Sequence, residues 1–254
     1  MQIDTANQMV ITVQNSPWAL LPIIIFSALA RWIINIFAHH IPDKMIFEWH
    51  QEIANERQET FVSDPPSLKK SAQETPFWPR ISLKNDIIQS LTDLISVFAP
   101  AVLIYATKRF DAQIAAMTAL IWLSCLAMII DKRHMLLPDV VTQPALWLGL
   151  IASICGLTIT PEEAILGAIA GYAFIYVFSK LFNFATGNEG IGMGDAKWLA
   201  VCGAWFGANS ITFIIITAAI FGVIHSALSK QKEFALGPML CTATVLMCFR
   251  QLVF

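Results

Sequence analysis

Two aspartates in otherwise apolar surroundings are the residues of this chain best suited to chemistry. Asp131 ends the apolar run from Ile121 to Ile130, and Asp195 follows alternating glycines in Gly190-Ile191-Gly192-Met193-Gly194-Asp195-Ala196-Lys197. An ionisable group beside hydrocarbon is costly to keep there, so such a residue is by default a functional candidate. Glycines at this spacing allow a tight backbone path and the close approach of another part of the chain.

The chemistry open to such residues is that of a carboxyl pair. Two carboxyl groups held close together cannot both ionise readily, so the pair keeps one shared proton over a wide pH range. The ionised member can take a proton from water while the protonated member donates one to a carbonyl oxygen, as in aspartic proteases. This hydrolysis needs no metal and no cofactor. It requires Asp131 and Asp195 to meet, and therefore depends on the elements that carry them.

The composition indicates a membrane protein. Of the 254 residues, 56% are hydrophobic and only 13% are charged, and the mean hydropathy is +0.62. Soluble domains carry about 25% charged residues. The net charge of −2 gives no indication of a nucleic-acid partner. The cysteines stand in apolar runs without a Cys-x-x-Cys pair, so neither a zinc site nor a disulfide framework is indicated; they are Cys125, Cys155, Cys202, Cys241 and Cys248.

Apolar runs of about 20 residues can cross a bilayer, and their number here predicts an all-α, polytopic membrane protein. Eight transmembrane helices are expected, or seven if the short run 196–207 joins its successor through a kink; this run can also be a half-buried helix. His39-His40-Ile41-Pro42 is expected to end the first helix, and residues 45–58 can form another. The predicted spans are 18–38, 87–106, 112–130, 140–158, 163–184, 196–207, 209–228 and 237–253.

The distribution of basic residues predicts the orientation of the spans. With eight spans and the amino terminus outside, twelve Lys and Arg lie in the inner loops, against Lys108, Arg109 and Arg250 outside. Asp131 and Asp195 then both lie at cytoplasmic ends of helices. Two intervening spans return the chain to the same side, so the two carboxyl groups can be neighbours.

The remaining acids have simpler interpretations. A lone Asp at a helix end is usually an interfacial residue or a cap, and we interpret Asp86, Asp111 and Asp139 in this way. Asp93 and Arg31, both at membrane depth, are interpreted as an ion pair between their helices.

Lys197 lies two residues after Asp195, and its role stays open between two alternatives. It can tune the pKa of that carboxyl group, or it can contact lipid headgroups.

Both aspartates stand in segments that resemble a known family, the type IV prepilin peptidases, which are Gly-x-Gly-Asp aspartic membrane proteases. The resemblance lies in residues 130–139 and 190–200, which follow each other in family order and at a family-like separation. Asn35-Ile36-Phe37-Ala38-His39-His40-Ile41-Pro42 resembles the family's Asn-Val-x-x-His-Arg-Leu-Pro. Phe234-Ala235-Leu236-Gly237-Pro238 resembles its late Phe-Gly-Pro.

The resemblance implies that Asp131 and Asp195 are the catalytic pair, with Gly192, Gly194 and Lys197 in support and no metal. The family removes the basic leader of type IV prepilins and type II secretion pseudopilins without a cofactor. Its members often methylate the new amino terminus with S-adenosylmethionine. The implied partners are prepilin or pseudopilin substrates and membrane lipid, with no nucleic acid. The implied location is the bacterial inner membrane, with several spans and an active site that faces the cytoplasm.

One departure from the family concerns the first cytoplasmic loop. Many members carry two Cys-x-x-Cys pairs there, whereas this loop has no cysteine, so the chain resembles a variant without the cysteine tetrad and zinc binding by that tetrad is excluded. The expected domains are a tail with the first helix (1–38), this cytoplasmic loop (39–86) and a membrane-embedded peptidase domain (87–254).

A second hypothesis is a transporter, or an assembly factor of a pilus or secretion machine, that uses its acids for protons or contacts. The acids gather at one membrane face instead of forming a line across the bilayer, which favours the peptidase.

Overall fold

A computed structural model describes residues 11–12, 21–56, 87–107, 109–187, 192–229 and 236–253. Within these ranges the chain forms eight α-helices and one pair of two-residue strands, in which β1 (Ile11–Thr12) lies antiparallel to β2 (Arg109–Phe110). The helices are α1 (Leu21–Glu56), α2 (Ile87–Thr107), α3 (Ala112–His134), α4 (Asp139–Ile154), α5 (Pro161–Thr186), α6 (Met193–Phe206), α7 (Ala208–Ser229) and α8 (Gly237–Val253).

Four of these helices are long and apolar enough to cross a membrane. The segments that meet this description are 21–49 in α1, all of α3 and α5, and 208–227 in α7, and the apolar parts of α2 and α4 are shorter. Each of the eight predicted spans coincides with one helix. The prediction of an all-α, multi-pass membrane protein is therefore confirmed.

The first helix is longer than the sequence predicted. The expectation that residues 39–42 would end it is wrong, because α1 continues through Pro42 to Glu56. Proline removes one backbone donor and disturbs the preceding turn, but it does not prevent good helix formers from continuing the helix. Lys44 and Glu48, one turn apart, form an exposed ion pair in this continuation. The helix expected at 45–58 is thus the second half of α1.

The short helix α6 lies at the centre of the molecule. Its 14 residues span about 21 Å, less than the roughly 30 Å of a bilayer's hydrocarbon core. Nearly all of its side chains from Ala196 to Phe206 are buried, which is typical of a helix surrounded by others. It packs against α4, α5, α7 and α8. Gly207, with φ of 79°, separates it from α7, so the two remain distinct helices.

Small residues allow α5 and α6 to pack with their backbones in contact. Gly167 of α5 faces Gly203 of α6, and a Cβ atom at either position would overlap the backbone of the other helix. Gly171 lies one turn further along and packs in the same way against the backbone of Leu199. Helices in a bilayer commonly associate through such small residues, because close approach replaces the hydrophobic effect that lipid does not supply.

An ion pair joins α1 to α2 inside the apolar region, as the sequence predicted. The guanidinium of Arg31 lies 3.1 Å from Oδ1 of Asp93, and Asn35 donates a hydrogen bond of 3.1 Å to the same oxygen. Arg31 is only 1% exposed. A charge at this depth is tolerable when it is paired with an opposite charge, so the pair also fixes how α1 and α2 sit against each other.

Candidate active site

The end of α3 positions Asp131. This helix begins at the cap Asp111, whose carboxylate accepts the Ile114 N–H at 3.0 Å, so the interpretation of Asp111 as a cap is confirmed. It ends where Met135 adopts a left-handed conformation with φ of 51° and donates its N–H to the carbonyl of Asp131. Asp131 therefore lies in the last turn of α3, and it is only 6% exposed. Three basic residues share this turn and suit the negative end of the helix dipole; they are Lys132, Arg133 and His134.

The start of α6 positions Asp195. Gly192 precedes the helix in an extended conformation, and its carbonyl accepts the N–H of Asp195 at 3.1 Å. Asp195 therefore stands in the first turn, where the positive end of the helix dipole favours a carboxylate. Gly190 and Ile191 of the same motif lie outside the described residues, whereas Gly192, Met193 and Gly194 lie within them.

The two carboxyl groups come together at the same end of the helix bundle. Burial and, to a smaller extent, the nearby charge of Asp131 together raise the pKa of Asp195 from 3.8 to about 7. Asp195 precedes the apolar part of α6 and lies outside the four membrane-spanning helices. A carboxyl group with this pKa is partly protonated near neutral pH beside a second carboxyl group. This is the electrostatic condition for a shared proton.

The turn between α3 and α4 packs directly against the start of α6. A Cβ atom at Gly194 would lie 2.9 Å from Cβ of Leu137, so only glycine lets the two segments approach this closely. Gly192, by contrast, has room for a side chain, because the nearest atom to an added Cβ is Oδ2 of Asp195 at 3.9 Å. Of the two supporting glycines expected from the sequence, Gly194 has the steric requirement and Gly192 does not.

Lys197 forms an ion pair with Asp139, the first residue of α4. Of the two interpretations of Asp139, an interfacial residue or a cap, the cap is wrong, because Pro138 is the capping residue of α4 and makes no side-chain capping bond. The side-chain partner of Lys197 in the structure is thus Asp139. The ion pair therefore links Asp139, at the end of the turn that follows Asp131, to Lys197, two residues after Asp195.

Gly237, at the start of α8, is a site residue whose contact the sequence did not predict. A Cβ atom there would lie 2.7 Å from Cγ of Asp131, and the Gly237 backbone hydrogen-bonds the Asp131 carboxyl group. The available signal was the motif around Gly237-Pro238, of which Phe234 and Ala235 lie outside the described residues. Periodicity and spacing could not indicate which helix end this glycine would face.

A further contact joins α1 to the end of α3. The guanidinium of Arg133 lies 2.8 Å from Nε2 of His39, so the second half of the family-like segment 35–42 contacts the end of α3 that carries Asp131. Within the ranges that the structure describes, no three His, Cys, Asp or Glu side chains are grouped closely enough to hold a metal ion. Asp86 lies outside the described residues.

Comparison with known proteins identifies relatives of this arrangement. The model of the "Type IV leader peptidase family" matches residues 118–227, a segment that contains both aspartates. The prepilin leader peptidase/N-methyltransferase of Pectobacterium carotovorum subsp. carotovorum is 29% identical, over 84% of this chain and 86% of its own length. The protein of the same name from Aeromonas salmonicida is 27% identical, over 89% of both chains.

A third relative is more similar over a shorter segment. The prepilin leader peptidase/N-methyltransferase of Dichelobacter nodosus is 41% identical, over 45% of this chain and 41% of its own length. No solved structure matches the chain. The family match covers the segment that carries the two aspartates, and the longer alignments extend the similarity over most of the sequence. Residues 118–227 of this chain are thus similar to the type IV leader peptidase family, and most of the chain is similar, at lower identity, to prepilin leader peptidase/N-methyltransferases.

Proposed function

We propose that this protein is an aspartic endopeptidase that removes the leader peptide of type IV prepilins or type II secretion pseudopilins, with Asp131 and Asp195 as its catalytic pair. The observation that carries the proposal is the electrostatic coupling of these two carboxyl groups, which come from the end of α3 and the start of α6. The match of residues 118–227 to the type IV leader peptidase family supports the reaction class.

The pair performs peptide hydrolysis as follows. The ionised carboxylate takes a proton from a water molecule, whose oxygen attacks the carbonyl carbon of the scissile peptide bond. The protonated carboxyl group donates its proton to the carbonyl oxygen, which gives a neutral tetrahedral intermediate. The intermediate collapses when its C–N bond breaks and the leaving nitrogen takes the proton that came from water. A hydroxyl group of the intermediate gives its proton to the other carboxyl group, so the pair again holds one proton and the enzyme is regenerated.

The proposed substrate suits the depth of the site. A prepilin has a basic leader followed by an apolar helix, so its scissile bond lies at the boundary between cytoplasm and membrane. Asp131 lies in the last turn of a helix long and apolar enough to span the bilayer, which is the corresponding depth in the enzyme. The excess of Lys and Arg in the loops on this side supports a cytoplasmic active site in the bacterial inner membrane.

The expected domain division forms part of the proposal. Residues 87–254 carry the pair and every helix from α2 to α8, and residues 1–38 contain the start of α1, whose membrane-spanning segment 21–49 continues into the next region. In residues 39–86 the described part is the continuation of α1, and the remainder lies outside the described residues. Membrane lipid is the expected environment of the exposed apolar faces, and proteolysis by this pair requires no cofactor.

Leader cleavage by purified protein tests the proposal. In detergent, the wild-type protein is expected to cleave a synthetic prepilin, while Asp131→Asn and Asp195→Asn each reduce the rate at least about 10³-fold, because each removes one half of the proton transfer. Asp111→Asn is the matched control, since this aspartate caps the opposite end of α3. The assignment is overturned if either active-site variant cleaves at the wild-type rate.

The rival function, a transporter or an assembly factor, makes the opposite prediction. Such a protein would leave the synthetic prepilin intact even at a high concentration. The position of the coupled acids at a single end of the bundle speaks against a proton path, which needs acids at successive depths. The buried Asp93 is paired with Arg31, so it does not supply such a step.

Methylation of the new amino terminus is a second activity that the names of the relatives suggest. If the chain retains it, S-adenosylmethionine is the methyl donor, and the chain would have to bind it without the cysteine tetrad. Mass spectrometry of the matured substrate decides the question. A mass increase of one methyl group would show that the protein also methylates its product, and an unmodified amino terminus would limit the protein to proteolysis.

A further inference from the structure

We propose that Gly237 is a positioning residue of the catalytic pair, because it alone lets the amino terminus of α8 reach Asp131 and hold its carboxyl group in one orientation. This inference rests on the proposed function. It adds a third chain segment to a site otherwise built from the end of α3 and the start of α6. It also gives a physical role to the Gly237-Pro238 motif.

The contact between Gly237 and Asp131 has a steric part and a polar part. An alanine methyl group at position 237 would overlap the Asp131 carboxyl group, with 2.7 Å to Cγ and less to Oδ2. The Gly237 backbone is in turn hydrogen-bonded to that carboxyl group. Both groups are buried, so neither side chain nor backbone can move into solvent to make space.

The amino-terminal end of a helix is suited to holding a carboxyl group. The first N–H groups of a helix have no partner within the helix, and the helix dipole places positive potential at this end. Pro238 follows directly, and its ring fixes a backbone angle that suits the first helical turn. The start of α8 therefore places positive potential next to the Asp131 carboxyl group, while the charged side chain of this helix, Arg250, lies in its last turn.

The contact also accounts for the burial of one oxygen of Asp131. Its Oδ2 atom lies nearest to the position that a Cβ atom at Gly237 would occupy, and it is buried without a hydrogen-bond partner among the residues that the structure describes. Gly237 therefore closes one side of the Asp131 carboxyl group and fixes its orientation beside Asp195.

A double-mutant cycle on thermal unfolding tests the contact without reference to activity. Gly237→Ala is expected to lower the unfolding midpoint in detergent when Asp131 is present. In the Asp131→Ala background the same substitution should cost little, because the carboxyl group that it would overlap is gone. An equal cost in both backgrounds would overturn the proposal. If Gly237→Ala alone does not fold, a folded double variant supports the contact and an unfolded one overturns it.

Cleavage kinetics then separate positioning from a merely structural role. Gly237→Ala is expected to lower kcat at least about 100-fold with little change in KM, since a displacement of about 1 Å at a reacting group has this effect. The matched control is Thr242→Val, which removes the hydroxyl that bonds the Pro238 carbonyl in the same turn and adds nothing near Asp131. We expect this control to cleave at nearly the wild-type rate.

The outcomes distinguish the inference from the proposed function. If Asp131→Asn and Asp195→Asn abolish cleavage while Gly237→Ala cleaves normally, the pair stands and the role of Gly237 is overturned. If the aspartate variants cleave normally, the proposed function fails, and the unfolding cycle alone still reports whether Gly237 contacts Asp131.

Discussion

Among single residues, Asp195 combines two features that ordinary surface acids lack. It is partly withdrawn from water, and a second carboxyl group of the same sign lies nearby. Both features disfavour its charged form, so the proton remains bound up to a higher pH. The result is a group that holds its proton near neutral pH, which is what the donor of an aspartic pair requires.

The pH dependence of cleavage follows from this pKa. The pKa of Asp195 is raised to about 7, so the donor proton is present below that pH and is lost above it. We expect kcat/KM to fall about tenfold per pH unit on the alkaline side, as for loss of a single essential proton. Rates with synthetic prepilin between pH 5 and about 9 measure this. Constant activity across the alkaline range would contradict it.

The raised pKa of Asp195 also makes the stability of the fold depend on pH, and measuring that dependence is the control for the pH profile of cleavage. Asp195 binds its proton more tightly in the folded protein than in the unfolded chain, where its pKa is 3.8. Its contribution to stability is therefore greatest below about pH 4 and is lost as the pH rises to about 7. Unfolding midpoints recorded over the same pH series show whether lost activity reflects lost protons or lost structure.

Residue types could indicate the two aspartates but not their neighbours. An acid beside a long apolar run is rare enough to be noticed from the sequence, and glycines before Asp195 add to the signal. The contacts of Asp139 and Gly237 depend on which helix ends meet, and each partner is far away along the chain. Helix propensity and hydrophobic periodicity describe one segment at a time, so they carry no information on these pairs.

Among the elements, α4 and α6 are held together at the site end by the ion pair of Asp139 and Lys197. Both side chains are partly exposed, so the pair contributes little to global stability, about 0.2–1 kcal/mol for pairs of this kind. Its position gives it a different effect, because it connects the segments that carry the two catalytic aspartates. We therefore expect the pair to affect the separation of Asp131 and Asp195 more than the stability of the fold.

Removing this pair is expected to affect rate more than stability. Lys197→Ala should lower kcat/KM about tenfold while the unfolding midpoint stays nearly unchanged, because the two helix starts lose their link. Exchange of the charges in Asp139→Lys with Lys197→Asp should restore part of the rate. Lys44→Ala is the control, since Lys44 makes an exposed pair with Glu48 away from the site. A variant at position 197 with full activity would argue against this role.

The helices themselves were largely predictable, and the exceptions have local causes. Long apolar segments separated by polar residues predicted the eight helices closely, and α8 coincides with its predicted range at 237–253. The end of α1 was missed because proline was given too much weight against the good helix formers that follow it. The burial of α6 was left open, since a short apolar segment does not reveal whether lipid or protein surrounds it.

For the whole molecule, successive turns lie at opposite ends of the helix bundle. The turn 135–138 between α3 and α4 lies at the end with Asp131 and Asp195, and the turn between α4 and α5 lies at the other end. Cys155 stands in that second turn and is exposed, whereas the other four cysteines are buried. The native chain thus carries one accessible thiol on the face opposite the site.

Thiol labelling in intact cells tests the proposed orientation. A membrane-impermeant maleimide is expected to label Cys155 from outside the inner membrane. In a Cys155→Ser background, Leu136→Cys should be labelled only after the membrane is permeabilised, because residue 136 is 42% exposed at the site end. The reverse pattern would place the aspartates on the outer face, away from a cytoplasmic leader.

The continuation of α1 beyond Pro42 determines where the following polar segment starts. Fourteen further helical residues, 43–56, add about 21 Å of rigid rod past the proline. The described part of α1 therefore ends at Glu56, seven residues beyond the segment 21–49 that is apolar enough to cross a membrane. Inserting or deleting a few residues between 50 and 56 would change both the height and the rotational position at which the chain leaves this helix, while Asp131 and Asp195 stay in place.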